Sequence, residues 1–312
     1  MIQRSTLPKV LLLLAGFVFF SANTVHFLGE KAADGTLHAS MGKNYQFNFD
    51  HVRKGPYLNV KSALLVNYEN GEVVYAKNPD MKRSVASISK LVTAMVVLDS
   101  GIDLDSVTET ITRTDARRSS RSRLMVGYEM TLRDLLHACL MNSDNRAARA
   151  LARAVSGSIE EFAVQMNRKV KKLGLENTVF YEPSGLDARN VSTAHEVAKI
   201  LHYAFDYELV AHITSLKQYD CRVLNRNNQI VPMANTNLLI HSRYDVLAGK
   251  TGYIRAADYC LVTLVHTDDG QRLTLVVLGA PFDRIRFREA RKLLDCGVKQ
   301  HQQEPVMAQT SA

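Results

Sequence analysis

Residues 84–98 read S-V-A-S-I-S-K-L-V-T-A-M-V-V-L, and this stretch places a lysine inside an apolar segment. From Ile88 onward its only polar residues are Ser89, Lys90 and Thr93, so a helix here is apolar on nearly every side. That pattern predicts a buried helix. A buried ammonium group is costly unless it loses its proton or gains a partner, so Lys90 needs a chemical reason.

Ser87 supplies such a reason, because Ser87 and Lys90 form an S-x-x-K motif at the start of the predicted helix. Residues three apart are neighbours on a helix surface, close enough for the amine to take the hydroxyl proton. Burial disfavours the charged form of lysine, which favours Lys90 as a base, and the helix N-terminus offers N–H groups to charge developing at Ser87. The motif also occurs at Ser40 to Lys43, but there no apolar helical pattern follows it.

Two further triplets make the interpretation specific. S-D-N stands at residues 143–145, at a predicted junction of two helices, and K-T-G stands at 250–252, just before a predicted strand. S-x-x-K alone arises by chance about once in a chain of this length, whereas all three motifs in this order are improbable.

Each residue of these triplets has chemistry to offer. The Ser143 hydroxyl could relay a proton between Lys90 and a leaving amine, and the Asn145 amide could bind a substrate peptide bond. Lys250 would add positive charge for a substrate carboxylate, and Thr251 a hydroxyl donor. Gly252 has no Cβ and lets a substrate backbone approach the strand.

The order of predicted elements favours an α+β fold. Asn70-Gly71 joins two short strands, 62–68 and 72–76, into a hairpin, and the chain is then predicted to be helical for most of 87–215. After it come a polar hairpin around 225–228, a second hairpin formed by 259–267 and 272–279, and a last helix over 283–296. We therefore expect one antiparallel sheet assembled from both ends of the chain, with a helical subdomain inserted.

Helix starts in the middle region are marked by capping boxes, in which a Ser or Thr is followed three residues later by an acidic residue. The pairs are Thr131 with Asp134, Ser158 with Glu161, and Thr193 with Glu196.

The N-terminus predicts export. Arg4 and Lys9 precede an apolar run, residues 10–20, that is short for a membrane span, and small residues follow it. Residues 1–22 are thus a signal peptide or an uncleaved inner-membrane anchor, and both interpretations stay open. A linker is expected at 23–56, a catalytic domain at 57–299 and a disordered tail at 300–312.

Composition narrows the classes of partner. The 312 residues carry a formal net charge of +8, but no nucleic-acid-binding motif accompanies the basic residues, so nucleic acid is not expected as a partner. The cysteines lack metal-ligand spacing, and any disulfide pairing stays open; they are Cys139, Cys221, Cys260 and Cys296. No metal and no cofactor is predicted, because side chains and backbone supply the chemistry, and a monomer is expected.

The three motifs resemble those of the penicillin-recognising serine enzymes, the low-molecular-mass penicillin-binding proteins and serine β-lactamases. Over roughly residues 57–298 the chain is similar to the D-alanyl-D-alanine endopeptidase type of peptidase family S11. The similar segments are A-S-I-S-K-L-V-T-A-M-V-V-L-D, M-N-S-D-N-R-A-A, S-G-L-D-A-R-N-V-S-T-A and G-K-T-G-Y-I.

The resemblance implies a β-lactamase/transpeptidase-like fold and an acyl-enzyme formed on Ser87. It further implies that Lys90 accepts the proton, Ser143 assists and Lys250 binds substrate, with an oxyanion hole formed by the backbone N–H groups of Ser87 and Tyr253. Peptidoglycan stem peptides would be substrates in the periplasm, and β-lactams would be covalent inhibitors.

Departures from the family patterns favour one activity. A class A β-lactamase would need Glu-x-x-Leu-Asn between residues 143 and 250, and the chain has none. Dedicated carboxypeptidases commonly have S-G-N at the second motif, where this chain has S-D-N with Asp144 in place of the glycine. They also commonly have a C-terminal β-rich domain, and too few residues follow the last predicted helix for one here. We therefore expect an endopeptidase that cleaves D-alanyl cross-links. A D-alanyl-D-alanine carboxypeptidase and a non-catalytic module that binds wall peptides are the alternatives.

Overall fold

The structure is a computed structural model that describes residues 43–50, 52–117, 119 and 122–310, with side chains as far as residue 300. The segment 1–22, predicted to direct export, and the first part of the predicted linker lie outside the described residues.

The strands are short in the helical half and longer in the main sheet. They are β1 Ser62–Asn67, β2 Val73–Lys77, β3 Arg83–Ser84, β4 Thr108–Thr110, β5 Glu129–Thr131, β6 Val191–Ser192, β7 Gln218–Val223, β8 Gln229–Ala234, β9 Asp245–Ile254, β10 Asp258–His266 and β11 Arg272–Ala280.

Most of the helices lie between the first and last strands of the chain. They are α1 Lys90–Asp99, α2 Leu132–Leu140, α3 Asn145–Ser156, α4 Ile159–Lys172, α5 Ala194–Phe205, α6 Glu208–Ser215 and α7 Asp283–Thr310, with 3₁₀ helices at Ala86–Ser89 and Leu238–His241.

The main sheet has five strands in the order β2-β1-β11-β10-β9, and every neighbouring pair is antiparallel. Strand β1 comes early in the chain and β11 comes late, and the two pair side by side in this sheet. The predicted α+β architecture is therefore confirmed. Both predicted hairpins of this sheet are present, with strand ends within one or two residues of those expected. The polar hairpin is also present, as the separate pair β7 and β8.

Helices cover both faces of the main sheet. Along β11, Val276 and Leu278 pack in one core with α1 and α5, whereas Leu275 and Val277 pack in a second core with α7. Because both faces are buried, the central strands read as continuous apolar runs rather than as alternating ones.

The helical half is arranged around α1, which contacts α2, α3, α4 and α5. Its residues Lys90 to Leu98 are all buried, as the apolar pattern predicts. The three predicted helix starts are confirmed, because the Thr131, Ser158 and Thr193 side chains each accept a hydrogen bond from the backbone N–H three residues on. The carboxylates of Asp134 and Glu196 do not complete capping boxes, since they accept from Tyr219 and Asn177 instead.

The second part of the predicted linker packs against the domain. Tyr45 lies edge-on to His202 with ring centroids 4.9 Å apart, Phe47 contacts the same imidazole at 5.3 Å, and Asn48 bridges to Glu72 beside β2. Aromatic side chains at alternate positions give this stretch one apolar face, which explains why it is held. The structured region therefore begins no later than Lys43.

The C-terminal prediction is corrected as well, since α7 continues to Thr310 although the sequence predicts a disordered tail from Gln300. Gly297 directly follows Cys296 but does not end the helix: it packs against the sheet, where an added Cβ would lie 2.7 Å from a Leu65 methyl carbon, and residues 298–304 after it are mainly good helix formers. Within the described ranges, none of the helices combines the length and apolarity needed to span a bilayer.

Candidate active site

Ser87 lies in the 3₁₀ helix Ala86–Ser89, immediately before α1 rather than within it. The preceding residue, Ala86, has a φ of 49°, a left-handed conformation that non-glycine residues rarely adopt. Strained backbone of this kind persists only where surrounding structure enforces it, and it often accompanies functional sites. The left-handed conformation of Ala86 determines the direction in which the backbone enters Ser87.

Lys90 is fully buried, and its amine has three oxygen partners. Nζ lies 2.9 Å from Ser87 Oγ and 2.7 Å from Asn145 Oδ1, and it also donates to the Ser184 carbonyl oxygen. Burial lowers the pKa of Lys90, an effect that the negative charges of Glu182 and Asp144 partly oppose. A neutral amine has two hydrogens and one lone pair. Because Asn145 Oδ1 and the Ser184 carbonyl can only accept, the lone pair is left for the Ser87 hydroxyl.

Ser143 pairs with a different lysine from the one expected. Lys250 Nζ donates to Ser143 Oγ at 2.8 Å and to the Thr251 carbonyl at 2.9 Å. Ser143 has a φ of 60°, and Asn145 instead occupies the position beside Lys90. The serine of the second motif is therefore joined to the lysine of the third.

Lys250 is as buried as Lys90. Burial opposes the permanent positive charge that the sequence analysis expects of its amine. Desolvation and the nearby Lys90 both lower the pKa of Lys250 well below the usual lysine value. The hydrogen-bond partners of its amine are a hydroxyl and a carbonyl oxygen, and none of the carboxylates in the described part of the chain forms an ion pair with it. A carboxylate placed beside Lys250 would supply a negative charge.

Asp144 holds the middle motif in place. Its carboxylate accepts hydrogen bonds from the N–H groups of Arg146 and Ala147, which caps α3, and its second oxygen accepts from Ser122 Oγ at 2.6 Å. Because Asp144 immediately precedes Asn145, the cap fixes the start of α3 from which the Asn145 side chain reaches Lys90.

Strand β9 brings the third motif against Ser87. A Cβ on Gly252 would come within 2.9 Å of the Val85 carbonyl oxygen and 3.1 Å of Ser87 N, so glycine is what allows this approach. Thr251 Oγ1 lies 2.6 Å from Thr236 Oγ1. Tyr253 is 46% exposed and stacks on Tyr259, with ring centroids 4.2 Å apart.

These elements border one open cleft of about 550 Å³ between the sheet edge and the helical half. Six of the residues expected from the sequence line it, and Lys90 and Lys250 lie buried beside it; the lining six are Ser87, Ser143, Asn145, Thr251, Gly252 and Tyr253. The described part of the chain holds no group of His, Cys, Asp or Glu residues arranged to bind a metal ion.

Sequence reasoning noted S-G-L-D-A-R-N-V-S-T-A, residues 184–194, only as a segment similar to the family and missed the role of Ser184 in the site. Its carbonyl oxygen accepts from Lys90 and lies 3.2 Å from Ser87 Oγ, so it belongs to the site through its backbone rather than its side chain. Besides that similarity, the local signal is Pro183-Ser184-Gly185, a turn composition that carries no chemical information by itself.

Gly185 allows this loop to meet the 3₁₀ helix, and its replacement tests the packing. With a φ of 82° and an added Cβ only 2.2 Å from the Ala86 carbonyl oxygen, Gly185→Ala must displace backbone. We expect a destabilisation of more than about 2 kcal/mol in denaturant melts and a fall of at least about 100-fold in the acylation rate.

Gly174 provides the matched control, because its φ is 69° but nothing lies within 4 Å of an added Cβ. Gly174→Ala should cost only about 1–2 kcal/mol and leave acylation unchanged. Equal effects of the two substitutions on acylation would show that contact of Gly185 with the 3₁₀ helix is unimportant.

A five-stranded antiparallel sheet, an inserted helical half, and a serine hydroxyl beside a buried lysine amine in the cleft between them define a penicillin-recognising serine enzyme. More particularly, the chain belongs to peptidase family S11, whose family model, described as D-alanyl-D-alanine carboxypeptidase, matches residues 51–282.

Individual relatives agree with this family. The chain is 36% identical over 234 residues to the D-alanyl-D-alanine endopeptidase of Escherichia coli K12, covering 74% of this chain and 75% of that protein. Identity to the Pseudomonas aeruginosa D-alanyl-D-alanine endopeptidase is 37% with the same coverage. Identity to the D-alanyl-D-alanine carboxypeptidase DacF of Bacillus subtilis is 33%, covering 79% of this chain and 64% of that protein.

The fold is also that of a solved relative. The crystal structure of the Streptomyces K15 DD-transpeptidase superposes with a TM-score of 0.74 at 28% identity, covering 79% of this chain and all of that one. The predicted transpeptidase-like fold is thereby confirmed.

All four cysteines are free thiols, so none of them forms a disulfide. Cys139 is fully buried near the amines of Lys90 and Lys250.

Proposed function

We propose that this chain is a serine peptidase that cleaves peptide bonds next to D-alanine in peptidoglycan through an acyl-enzyme on Ser87. The observation that carries the proposal is the buried Lys90 amine, 2.9 Å from Ser87 Oγ, with its two other partners restricted to carbonyl oxygens. Membership of family S11 and the named peptidases among its relatives support the substrate class.

In the acylation step Lys90 accepts the Ser87 proton while Oγ attacks the carbonyl carbon of the D-alanyl residue. The resulting oxyanion is stabilised by the backbone N–H groups of Ser87 and Tyr253, as the family resemblance implies. The tetrahedral intermediate then collapses, the peptide C–N bond breaks and the leaving amine receives a proton. Water then attacks the ester carbonyl and gives a proton to Lys90, which passes it to Ser87 Oγ as the C–O bond to Ser87 breaks; the shortened stem peptide is released and Ser87 is restored.

Ser143 and Lys250 act on the leaving-group side. The Ser143 hydroxyl gives its proton to the departing amine and takes in return the proton that Lys90 received from Ser87, so both side chains regain their starting forms. The hydrogen bond from Lys250 holds Ser143 in position for this relay. A substrate carboxylate beside Lys250 stabilises the ammonium form of that lysine. Asn145, Thr251 and Gly252 contact the substrate backbone along β9.

Within this chemistry we propose that cross-linked peptides are the preferred substrates, which makes the chain an endopeptidase. Two relatives named as endopeptidases match over 75% of their length at 36–37% identity, compared with 64% at 33% for DacF. Asp144 also stands at the position where dedicated carboxypeptidases commonly have glycine.

Purified protein offered equal amounts of cross-linked muropeptide dimers and monomeric pentapeptides tests this preference. We expect dimers to disappear at least about tenfold faster than pentapeptides. Chromatography and mass spectrometry of the products measure both rates, and Ser87→Ala is the control for contaminating hydrolases. Release of free D-alanine from pentapeptides with dimers left intact would identify a carboxypeptidase instead.

We further propose that the protein acts in the periplasm as a monomer, delivered there or anchored at the inner membrane by residues 1–22, and that β-lactams acylate Ser87. Support comes from the charged, apolar and small-residue order of that segment and from family membership.

A further inference from the structure

The Ser184 carbonyl has an unusual position, because it meets both members of the nucleophile pair. Lys90 donates to it, and Ser87 Oγ lies 3.2 Å away. By occupying one hydrogen of a neutral Lys90 amine, this oxygen helps to aim the remaining lone pair at Ser87. The direction of that lone pair therefore depends on how firmly the Ser184 backbone is held.

Glu182 holds it through a carboxylate with both oxygens occupied. One oxygen accepts from Ser184 N at 2.9 Å and from Ser184 Oγ at 2.5 Å. The other accepts from Leu186 N at 2.7 Å and, more weakly, from Asp187 N at 3.3 Å. Glu182 is 9% exposed, so these bonds are shielded from solvent and span the whole turn that carries the carbonyl.

We propose that Glu182 is a positioning residue for acylation: its carboxylate fixes the turn at residues 184–187 so that the Ser184 carbonyl orients the Lys90 amine towards Ser87. This inference rests on the proposed roles of Ser87 and Lys90. Glu182 does not touch the substrate or the reacting atoms, and it acts through the backbone that it holds.

Charge gives Glu182 a second, separable effect on Lys90. Lys90 faces charged or titratable groups from several elements; they are Glu182 in the loop, Cys139 on α2, Asp144 and Arg149 at α3, and Lys250 on β9. Glu182 and Asp144 raise the pKa of Lys90, whereas Arg149 lowers it. Removing the Glu182 charge should therefore lower the pKa of Lys90, and more of the amine should stay neutral in mildly acidic solution.

Two variants separate position from charge, measured as the rate constant for acylation by a fluorescent penicillin between about pH 5 and 10. Glu182→Gln replaces one acceptor oxygen by a donor, so two loop donors lose their acceptor. We expect its plateau rate to fall about 10- to 100-fold and its acidic limb to move to lower pH. Glu182→Asp keeps the charge but shortens the reach, so its plateau should fall while its acidic limb stays in place.

Glu196 gives a matched control for general destabilisation. It is also buried, and it accepts hydrogen bonds from Asn177 N at 2.8 Å and Thr178 Oγ1 at 2.5 Å, but it does not contact the Ser184 turn. Glu196→Gln should lower the melting temperature, as Glu182→Gln does, without changing the rate constant per labelled site or the pH profile.

The outcomes distinguish this inference from the proposed function. If Glu182→Gln acylates with the wild-type rate constant and pH profile, or loses only the fraction of protein that labels, Glu182 has no positioning role. If the wild type is not acylated, or Ser87→Ala still labels, the proposed function fails before Glu182 is considered.

Discussion

Replacing Ser87 by alanine is expected to abolish both covalent labelling by a fluorescent penicillin and hydrolysis of muropeptides, a loss of at least about 10⁴-fold. Among the described residues of the cleft, the Ser87 hydroxyl is the one that lies within hydrogen-bond distance of the Lys90 amine, at 2.9 Å, with a proton to give. Alanine fits the same space, and in its presence the Lys90 amine keeps two of its three oxygen partners, Asn145 Oδ1 and the Ser184 carbonyl. We therefore expect the melting temperature to change by no more than a few degrees.

Ser89 is the matched control for that substitution. It lies in the same 3₁₀ helix, is fully buried, and its hydroxyl has no hydrogen-bond partner among the described residues. Ser89→Ala should therefore retain acylation and be at least as stable as the wild type. Loss of labelling in Ser89→Ala as well would mean that any small change in this helix disrupts the site, and that the Ser87 result is not specific.

Replacing Lys90 by arginine or methionine is expected to lower the acylation rate by about 10²- to 10⁴-fold. Arginine keeps a positive charge but does not release a proton in this pH range, and methionine has no base at all. Lys90→Arg also places a larger, permanently charged group in a fully buried position, so it should be less stable than the wild type.

Lys90→Met keeps this prediction testable if the arginine variant does not fold. Methionine has a similar length and no desolvation penalty, although Asn145 and the Ser184 carbonyl lose a donor, so stability should stay near that of the wild type. Lys169→Arg is the control, since Lys169 lies on α4 and is ion-paired with Asp99, at the opposite end of α1 from Lys90. Near-normal acylation by well-folded Lys90→Met would refute the base role of Lys90.

The sequence predicted those parts of the molecule whose information is local. The apolar run after Ser87, the Asn-Gly turn and the three helix N-caps each act within a few residues, and each was found. The three motifs were also found together at one cleft, because their residue types already limit the chemistry that they can perform.

Other features depend on contacts between distant segments and leave little trace in local sequence. The Ser184 carbonyl is a backbone atom that any residue could provide, and the contact of Lys250 with Ser143 follows from how β9 meets the helix junction. Residues 45–49 looked irregular in the sequence because their aromatic side chains are held by packing against His202, which is distant in the chain. Glu182 was not noticed, because a single glutamate before a turn has no distinctive spacing.

The claim that Ser87 is the acylated nucleophile is tested most directly by mapping the adduct itself. Wild-type protein would be incubated with penicillin, digested and analysed by peptide mass spectrometry. We predict one penicilloyl group per chain, attached to Ser87 in the peptide that contains S-I-S-K. An adduct on Ser143, Ser184 or any other residue, or an unmodified Ser87 in fully inhibited protein, would contradict the account.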